Sequence, residues 1–319
     1  MHTFNIIFQA VAALLGIGVI GFIIVRRKMV PEDIMGVLAT LAIDIALPCL
    51  VFANIIVDFS PARYPDWWQL PLWWLFFQFT AFILTLITMF ISRQSTRREF
   101  AVTAFFQNGI FFPIIILSGV FGSSNPYLAQ LFLFIFLHPS LYFGTYYLFF
   151  RKHEHTAKQS HIRLQRIFNP VLILTAIALA VKLPGAEKYV PDFLITLVKM
   201  VGAMSLPLLM LFLGGSLYLD FKKKGKVYTG EIIKFLLVKN IIFPLVYLGI
   251  LLLIRPDYHI ALIIMLQGAI PPVTGIPIQV EREGGNRAIT NQFVLASFIF
   301  AVVSIPTMFL LFSRFFPMP

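Results

Sequence analysis

Long apolar runs alternate with short polar segments along almost the whole chain. Each run is close to the roughly 20 residues that an α-helix needs to cross the hydrocarbon layer of a bilayer. The pattern predicts ten membrane spans, at residues 4–25, 33–57, 67–91, 100–120, 127–150, 167–184, 193–219, 231–254, 259–280 and 289–313. The chain is therefore interpreted as an all-α integral membrane protein with ten transmembrane helices, embedded in a lipid bilayer.

The composition agrees with this interpretation. Hydrophobic residues make up 59% of the 319 residues, charged residues make up 12%, and the mean hydropathy is +0.87. A soluble domain carries about 25% charged residues. The net charge is +11, but the basic residues stand in short loops between apolar runs. Membrane topology explains them, and no nucleic-acid partner is expected.

Lys and Arg are concentrated in alternate loops. Basic clusters occupy one set of loops, at residues 26–28, 93–98, 151–166, 222–226 and 282–287. The opposite loops hold only single basic residues or well-separated pairs of them. By the positive-inside rule, this bias places the basic loops in the cytoplasm and both termini outside the cell membrane. The central basic loop is interpreted as a cytoplasmic linker, residues 151–166, between two five-span halves, residues 1–150 and 167–319.

Two of the predicted spans are interrupted near their middles. Span four contains Gln107, Asn108 and Gly109, followed by Pro113. Span nine contains a longer series of such positions: Gln267, Gly268, Pro271, Pro272, Thr274, Gly275 and Pro277. Proline removes a backbone donor and clashes with the preceding turn, so both helices should kink or unwind. Unwound backbone at this depth requires protein or a water-filled cavity around it, which makes the interruptions the predicted binding site.

The interruptions fall at matching positions in the two halves. Span two carries Leu47-Pro48 and span seven carries Leu206-Pro207, while the interrupted spans are the fourth and the ninth. Because five spans is an odd number, the second half enters the membrane in the opposite sense. The chain is thus predicted to be a 5+5 inverted repeat.

Helix ends inside a membrane present partial charges to whatever lies beside them. A helix that restarts after its prolines directs free N–H groups at the interruption, and these suit a carboxylate. The ends of the preceding half-helices offer carbonyl groups, which suit a cation or a proton donor. The side chains of Gln107, Asn108, Gln267 and Thr274 supply further hydrogen-bonding groups. Substrate binding is therefore assigned to the residues named in the two interruptions, with the exception of Gly268.

A few charged residues lie within the apolar runs. Asp44, about halfway through span two, is a candidate for binding a coupling proton or cation, and a structural pairing is the alternative. Lys199 and Lys234 are interpreted as lysines that reach the interface, and the role of Lys239 is left open. The loop residues His153, Glu154, His155 and His161 lack the His-Glu-x-x-His spacing of zinc proteases, so no metal site is expected.

At these residues the chain resembles the auxin efflux carrier family of membrane transport proteins, which includes plant auxin exporters and bacterial malate and malonate carriers. The resemblance rests on Ala46 to Phe52, on Asn108-Gly109 with Pro113, on Leu206-Pro207 with Gly214 to Leu217, and on Pro271-Pro272 with Glu283 to Asn286. Val294 to Ser297 and Ser304 to Pro306 extend it. The resemblance, of the bacterial or archaeal type, implies that broken helices 4 and 9 cross at their prolines with substrate beside the crossing. Transport of small organic anions is the family's usual activity.

The chain departs from the family pattern in two places. Asn108 and Gly109 are adjacent, where the family usually has one residue between them, and Gly275 stands near the usual asparagine of span nine. The central loop is also short, so auxin is not the expected cargo.

These observations predict a secondary active transporter of mono- or dicarboxylates that works by alternating access, driven by a proton or sodium gradient. The phosphate-binding sequence Gly-x-x-x-x-Gly-Lys-Ser/Thr is absent, so neither nucleotide hydrolysis nor a cofactor is expected. Three alternatives remain open at this point: a sodium-coupled symporter of the bile acid carrier type, a membrane-embedded lipid-modifying enzyme, and a receptor. A homodimer is kept as a hypothesis for the assembly.

Overall fold

A computed structural model describes residues 2–32, 34–122, 125–150, 170–222 and 227–318. In these ranges all regular elements are helical, and one isolated antiparallel bridge joins Gln107 to Pro272. The helices are α1 (His2–Arg26), α2 (Ile34–Asp58), α3 (Pro65–Ile91), α4 (Arg97–Phe105), α5 (Phe111–Phe121), α6 (Pro126–Ile135), α7 (His138–Thr145), α8 (Pro170–Lys182), α9 (Asp192–Ala203), α10 (Ser205–Lys222), α11 (Thr229–Ile254), α12 (Tyr258–Ala269), α13 (Ile276–Arg282) and α14 (Arg287–Phe315). The predicted linker and its histidines lie outside the described residues.

Six segments of the described chain are long and apolar enough to cross a membrane: Asn5–Arg26, Ile34–Asp58, Pro65–Ile91, Asp192–Leu219, Thr229–Ile254 and Arg287–Phe315. Shorter apolar helices occupy the positions of the other predicted spans, namely Phe111–Phe121, Pro126–Tyr142, Pro170–Lys182 and Tyr258–Ala269. Internal interruptions account for the short helices of spans four and nine. The ten-span count and the 5+5 arrangement stay predictions.

Two helices contain a wide, π-helical turn, and in both cases a proline explains it. The wide turns are Leu41–Ala46 in α2 and Leu237–Ile242 in α11, followed by Pro48 and Pro244. Proline clashes with the carbonyl four residues before it, and a wider turn relieves that clash. The N–H groups of Leu47 and Phe243 accordingly donate to carbonyls five residues back, on Ala42 and Val238. The two wide turns carry Asp44 and Lys239 respectively.

The chain divides into two compact units, each of which takes segments from both sequence halves. Unit 1 comprises Met1–Trp74, Ile110–Phe136 and Pro170–Lys224. In unit 1, α1 and α10 approach closely at glycines: a Cβ on Gly214 would lie 1.7 Å from the carbonyl oxygen of Gly18. A Cβ on Gly21 would lie 2.3 Å from the carbonyl oxygen of Leu211. Small residues at such positions allow the tight backbone packing that stabilises helix pairs in membranes.

Unit 2 comprises Leu75–Gly109, Leu137–Asn169 and Gly225–Pro319, so it contains Gln107, Asn108 and Gly109 of span four and the whole interruption of span nine. Aromatic rings form much of its interior: Phe235 stacks on Phe293 with ring centroids 4.5 Å apart, and Phe77 stacks on Tyr247 at the same distance. The Tyr247 hydroxyl donates to the Phe77 carbonyl at 2.8 Å. These contacts join α11 to α14 and to α3.

Buried carboxylates hold polar ends of unit 2 together. Glu231, at the start of α11, accepts hydrogen bonds from the Ser92 hydroxyl at 2.7 Å and from Lys234 at 2.8 Å. Glu99, in the first turn of α4, accepts the N–H of Asn286 at 2.9 Å. Lys234 thus has a carboxylate partner close to the start of α11.

Candidate functional site

Both predicted interruptions are present in the backbone. Helix α4 ends at Phe105, the chain becomes extended at Phe106, and α5 begins at Phe111. Helix α12 ends at Ala269, Ile270 is extended, and α13 begins at Ile276. The stretches between these helices, residues 106–110 and 270–275, are called break 1 and break 2 below.

The two breaks lie side by side and pair with each other. The N–H of Asn108 donates to the Pro271 carbonyl at 2.8 Å, and the N–H of Val273 donates to the Phe106 carbonyl at 3.0 Å. Two consecutive prolines, Pro271 and Pro272, contribute no N–H groups that would need a partner. Because unpaired backbone groups are very unfavourable in hydrocarbon, this short antiparallel bridge explains how two unwound segments are tolerated at such depth.

From the sequence we expect each interrupted helix to restart after its prolines, but two of the prolines lie inside the restarted helices. Pro113 and Pro277 stand in the first turns of α5 and α13, so the helices restart before these residues. The expectation that both helices restart only after their prolines is therefore wrong for Pro113 and Pro277. The physical reason is that N–H groups in a first helical turn have no helical partner in any case, so proline is tolerated there.

A chain of buried amide side chains lies at the paired breaks. Gln267 donates through Nε2 to the Gly109 carbonyl at 2.8 Å, which directs its Oε1 towards Gln107. Gln107 donates through Nε2 to Gln267 Oε1 at 3.4 Å and to Gln78 Oε1 at 3.3 Å. Because a carbonyl can only accept, the Gly109 contact fixes the orientation of all three amides.

Three polar atoms in this cluster have no hydrogen-bond partner within the described part of the chain: Asn108 Nδ2, Gln78 Nε2 and Gln107 Oε1. All three side chains are buried, Gln107 completely. Buried polar groups are normally paired, so unused ones need an explanation, and a bound ligand is one. Two free donors and one free acceptor suit a molecule that carries a carboxylate.

Glycine is required at two positions beside the amides. A Cβ on Gly109 would lie 2.7 Å from Gln267 Oε1, and a Cβ on Gly268 would lie 2.6 Å from the Tyr247 ring. Gly275 is less restricted, because a Cβ there would lie 3.5 Å from the Tyr142 hydroxyl, an ordinary contact distance. Thr274, next to it in break 2, is half-buried.

Sequence reasoning missed Gln78. It lies on α3, outside both predicted interruptions, and the structure brings its amide to Gln107. The available signal was a single glutamine within the apolar run Leu70–Thr88, because a polar side chain inside a membrane span indicates a functional position.

The charged residues within the apolar runs lie in different surroundings. Asp44 is exposed and belongs to unit 1, whereas residues 106–109 and all of break 2 belong to unit 2. Its role in coupling stays a prediction. Lys239, whose role the sequence left open, is only 1% exposed, and its ammonium donates to the Ala104 carbonyl at 3.0 Å. Lys199 is exposed.

The long apolar helices, the interrupted pair and their buried amides define an integral membrane protein of the transporter class. The family model described as membrane transport protein, that of the auxin efflux carriers, matches residues 6–309, and the chain belongs to this family. Its members are transporters rather than enzymes. A comparison with curated proteins finds no match.

Proposed function

We propose that this protein is a secondary active transporter of small organic anions, mono- or dicarboxylates, across the cell membrane. It works by alternating access around the two breaks and is driven by an ion gradient. The observation that carries the proposal is the group of unused, buried hydrogen-bonding atoms on Gln78, Gln107 and Asn108 where the breaks pair.

An anionic cargo is favoured because the cluster offers mainly donors. The orientation imposed by Gly109 leaves Gln78 with a free N–H group, and Asn108 adds a second one. Helix α5 begins three residues after Asn108, so its partial positive end follows the donor directly along the chain. None of the described acidic residues is hydrogen-bonded to these neutral amides. No carboxylate of the described residues therefore competes with the cargo for their N–H groups.

A small cargo is favoured by the small number of unused atoms. The two side-chain donors supply one hydrogen bond for each oxygen of a carboxylate, and Gln107 Oε1 can accept from a hydroxyl or a second, protonated acid group. Half-buried Thr274, within break 2, provides a further hydroxyl next to the paired backbone. Of the predicted substrate-binding set the proposal keeps Gln107, Asn108, Gly109, Gln267, Pro271, Pro272, Thr274 and Gly275, and it adds Gln78. Pro113 and Pro277, the other two predicted members, lie in the first turns of the restarting helices.

The topology proposed with this function is the ten-span, 5+5 inverted repeat with both termini outside the cytoplasm. The feature that supports it is the position of the breaks, in the fourth and ninth apolar segments of the chain. Cysteines introduced singly into the Cys49→Ser protein at residues 95 and 185 test the orientation. The loop at residue 95 should react with a membrane-impermeant maleimide only after the cells are opened, and residue 185 should react in intact cells.

The function is tested by thermal-shift screening of the purified protein against acetate, lactate, malonate, malate, succinate and 2-oxoglutarate, with and without sodium. Uptake into proteoliposomes is then measured for the acid that stabilises the protein most. We expect at least one carboxylate to stabilise the protein and to be taken up under an imposed ion gradient. A strict sodium requirement would support a symporter of the bile acid carrier type instead. The absence of both stabilisation and uptake for every acid would contradict an organic anion carrier.

A further inference from the structure

Lys239 is a fully buried lysine in the wide turn of α11. Its ammonium donates to the Ala104 carbonyl at 3.0 Å and lies 4.8 Å from the centre of the Phe243 ring. No carboxylate of the described residues is within ion-pair distance of it; the described ion pairs involve other lysines and arginines. A buried lysine normally has such a partner, so Lys239 needs another explanation.

The hydrogen bond made by Lys239 depends on break 1. In an uninterrupted helix the Ala104 carbonyl would accept the N–H of Asn108, four residues later. Here that N–H donates to the Pro271 carbonyl instead, so the break leaves the Ala104 carbonyl free. Lys239 takes this position at the carbonyl end of α4, where the partial negative charge of the helix favours a cation. The amine therefore occupies a place that would otherwise suit a free coupling cation.

The other titratable groups on the neighbouring helices give Lys239 no negative charge. His138, on α7, is buried, and an imidazole carries no negative charge. Tyr247, further along α11, donates its hydroxyl to Phe77. The nearest acidic residue on α4, Glu99, accepts from Asn286. Helix α12 after His259, and α14 between its terminal arginines, contain no titratable side chain.

A buried ammonium without a counter-charge is unfavourable, and two events relieve it. The amine loses its proton, or an anion arrives nearby. A neutral amine still donates one hydrogen bond to the Ala104 carbonyl, so the first event does not disrupt the packing. The second event requires an anionic cargo at the breaks, so protonation of the amine and binding of the anion favour each other.

We propose that Lys239 carries the coupling proton of this transporter. Its amine takes up a proton from the aqueous side on which the cargo anion enters, and releases that proton on the other side when the anion leaves. The inference rests on the proposed function and replaces Asp44 as the coupling site. It also implies that sodium is not needed, because the tethered amine occupies the carbonyl end of α4.

The test measures proton uptake on ligand binding by the purified full-length protein in weakly buffered detergent solution containing a pH indicator dye. The probe is whichever of the six acids stabilises the protein most in the thermal-shift screen. We expect wild type to take up about one proton per anion bound, and its affinity to fall as pH rises because the charged amine is lost. Lys239→Met should bind the acid about tenfold more weakly and without proton uptake.

Two variants separate coupling from folding. Lys239→Arg keeps a charge that does not dissociate, so it should bind the anion with no proton uptake and no pH dependence. Lys199→Met makes the same substitution at an exposed lysine and should behave as wild type. Proton uptake that persists in both Lys239 variants, or that disappears in Asp44→Asn, would overturn the inference. Wild-type binding without proton uptake would also overturn it while leaving the proposed function intact, whereas no binding of any acid would contradict both.

Discussion

The wide turns of α2 and α11 have the same backbone conformation, but they place their charged side chains in different surroundings. Each consists of a six-residue π-helical segment followed by a residue and then a proline. In α2 the turn leaves Asp44 exposed, whereas in α11 it buries Lys239 against the end of α4. A similar local backbone conformation therefore does not by itself indicate which of the two charged residues takes part in transport.

The difference lies in the surroundings of each turn. The α2 turn itself carries mostly exposed side chains, including Leu41, Ile43 and Ile45 beside Asp44. The α11 turn packs where break 1 has freed a carbonyl, and that carbonyl fixes the lysine. Proline-induced widening is common to both turns, and the hydrogen bond from Lys239 to the Ala104 carbonyl joins the turn in unit 2 to an interrupted helix. Changes in α11 and the breaks should thus have large effects, and matched changes in unit 1 should have small ones.

The largest expected difference in uptake is between variants of the two charged residues in the wide turns. Lys239→Met should lower the initial rate of carboxylate uptake under an inward proton gradient about 50-fold, because both the positive charge and the carried proton are lost. Asp44→Asn should change it less than about twofold, since Lys239 and not the exposed Asp44 carries the proton in the proposal above. Proteoliposome uptake at equal protein content measures both. A stronger loss in Asp44→Asn than in Lys239→Met would reverse the comparison.

A methyl group at Gly109 should have the next largest effect. Its Cβ would lie 2.7 Å from Gln267 Oε1, so Gln267 must move and the orientation of the amide chain is lost. We expect Gly109→Ala to reduce uptake about tenfold, in proportion to one or two weakened hydrogen bonds. Gly36→Ala in α2 is the control, because nothing lies within 4 Å of its added methyl group. Equal uptake by the two variants would show that the amides do not need this orientation.

Substitutions of the prolines after the two wide turns should show a smaller difference in uptake. Pro244→Ala restores a backbone donor and allows a regular turn in α11, which redirects Lys239 away from the Ala104 carbonyl. Uptake should fall about fivefold, whereas Pro48→Ala in α2 should lower it less than about twofold. Measuring both rates together with melting temperatures separates this effect from a change in stability. A greater loss of uptake from Pro48→Ala, at unchanged stability, would assign the functional turn to α2.

The smallest effect should come from Gln78. Gln78→Leu removes one of the two free donors and also the Oε1 atom that accepts from Gln107, and should raise the half-saturating carboxylate concentration about threefold. Gln69→Leu is the matched control on the same helix, since Gln69 pairs with Asp66 in unit 1. Uptake measured as a function of carboxylate concentration distinguishes the two variants. An unchanged half-saturating concentration in Gln78→Leu would remove this residue from the proposed site.

The sequence predicts the positions of the breaks well because glycine, proline and amide residues inside apolar runs have strong local consequences. Gln107, Asn108, Gln267 and the two prolines of break 2 all follow from that reasoning. It fails for Pro113 and Pro277, because proline is equally acceptable in the first turn of a helix. It also cannot show which side of α11 faces the protein interior, so the burial of Lys239 and its contact with Ala104 emerge only from the folded structure. The pairing of Gln78 with Gln107 is likewise a tertiary contact between distant helices.

The central claim is that the unused donors beside the paired breaks bind a carboxylate, and Asn108 tests it most directly. Asn108→Leu removes the free Nδ2 donor but keeps the backbone N–H that donates to Pro271. Isothermal titration of the carboxylate that stabilises wild type should show about tenfold weaker binding to Asn108→Leu, while the melting temperature of the ligand-free variant matches that of wild type. Binding of that acid to Asn108→Leu with wild-type affinity would contradict the account.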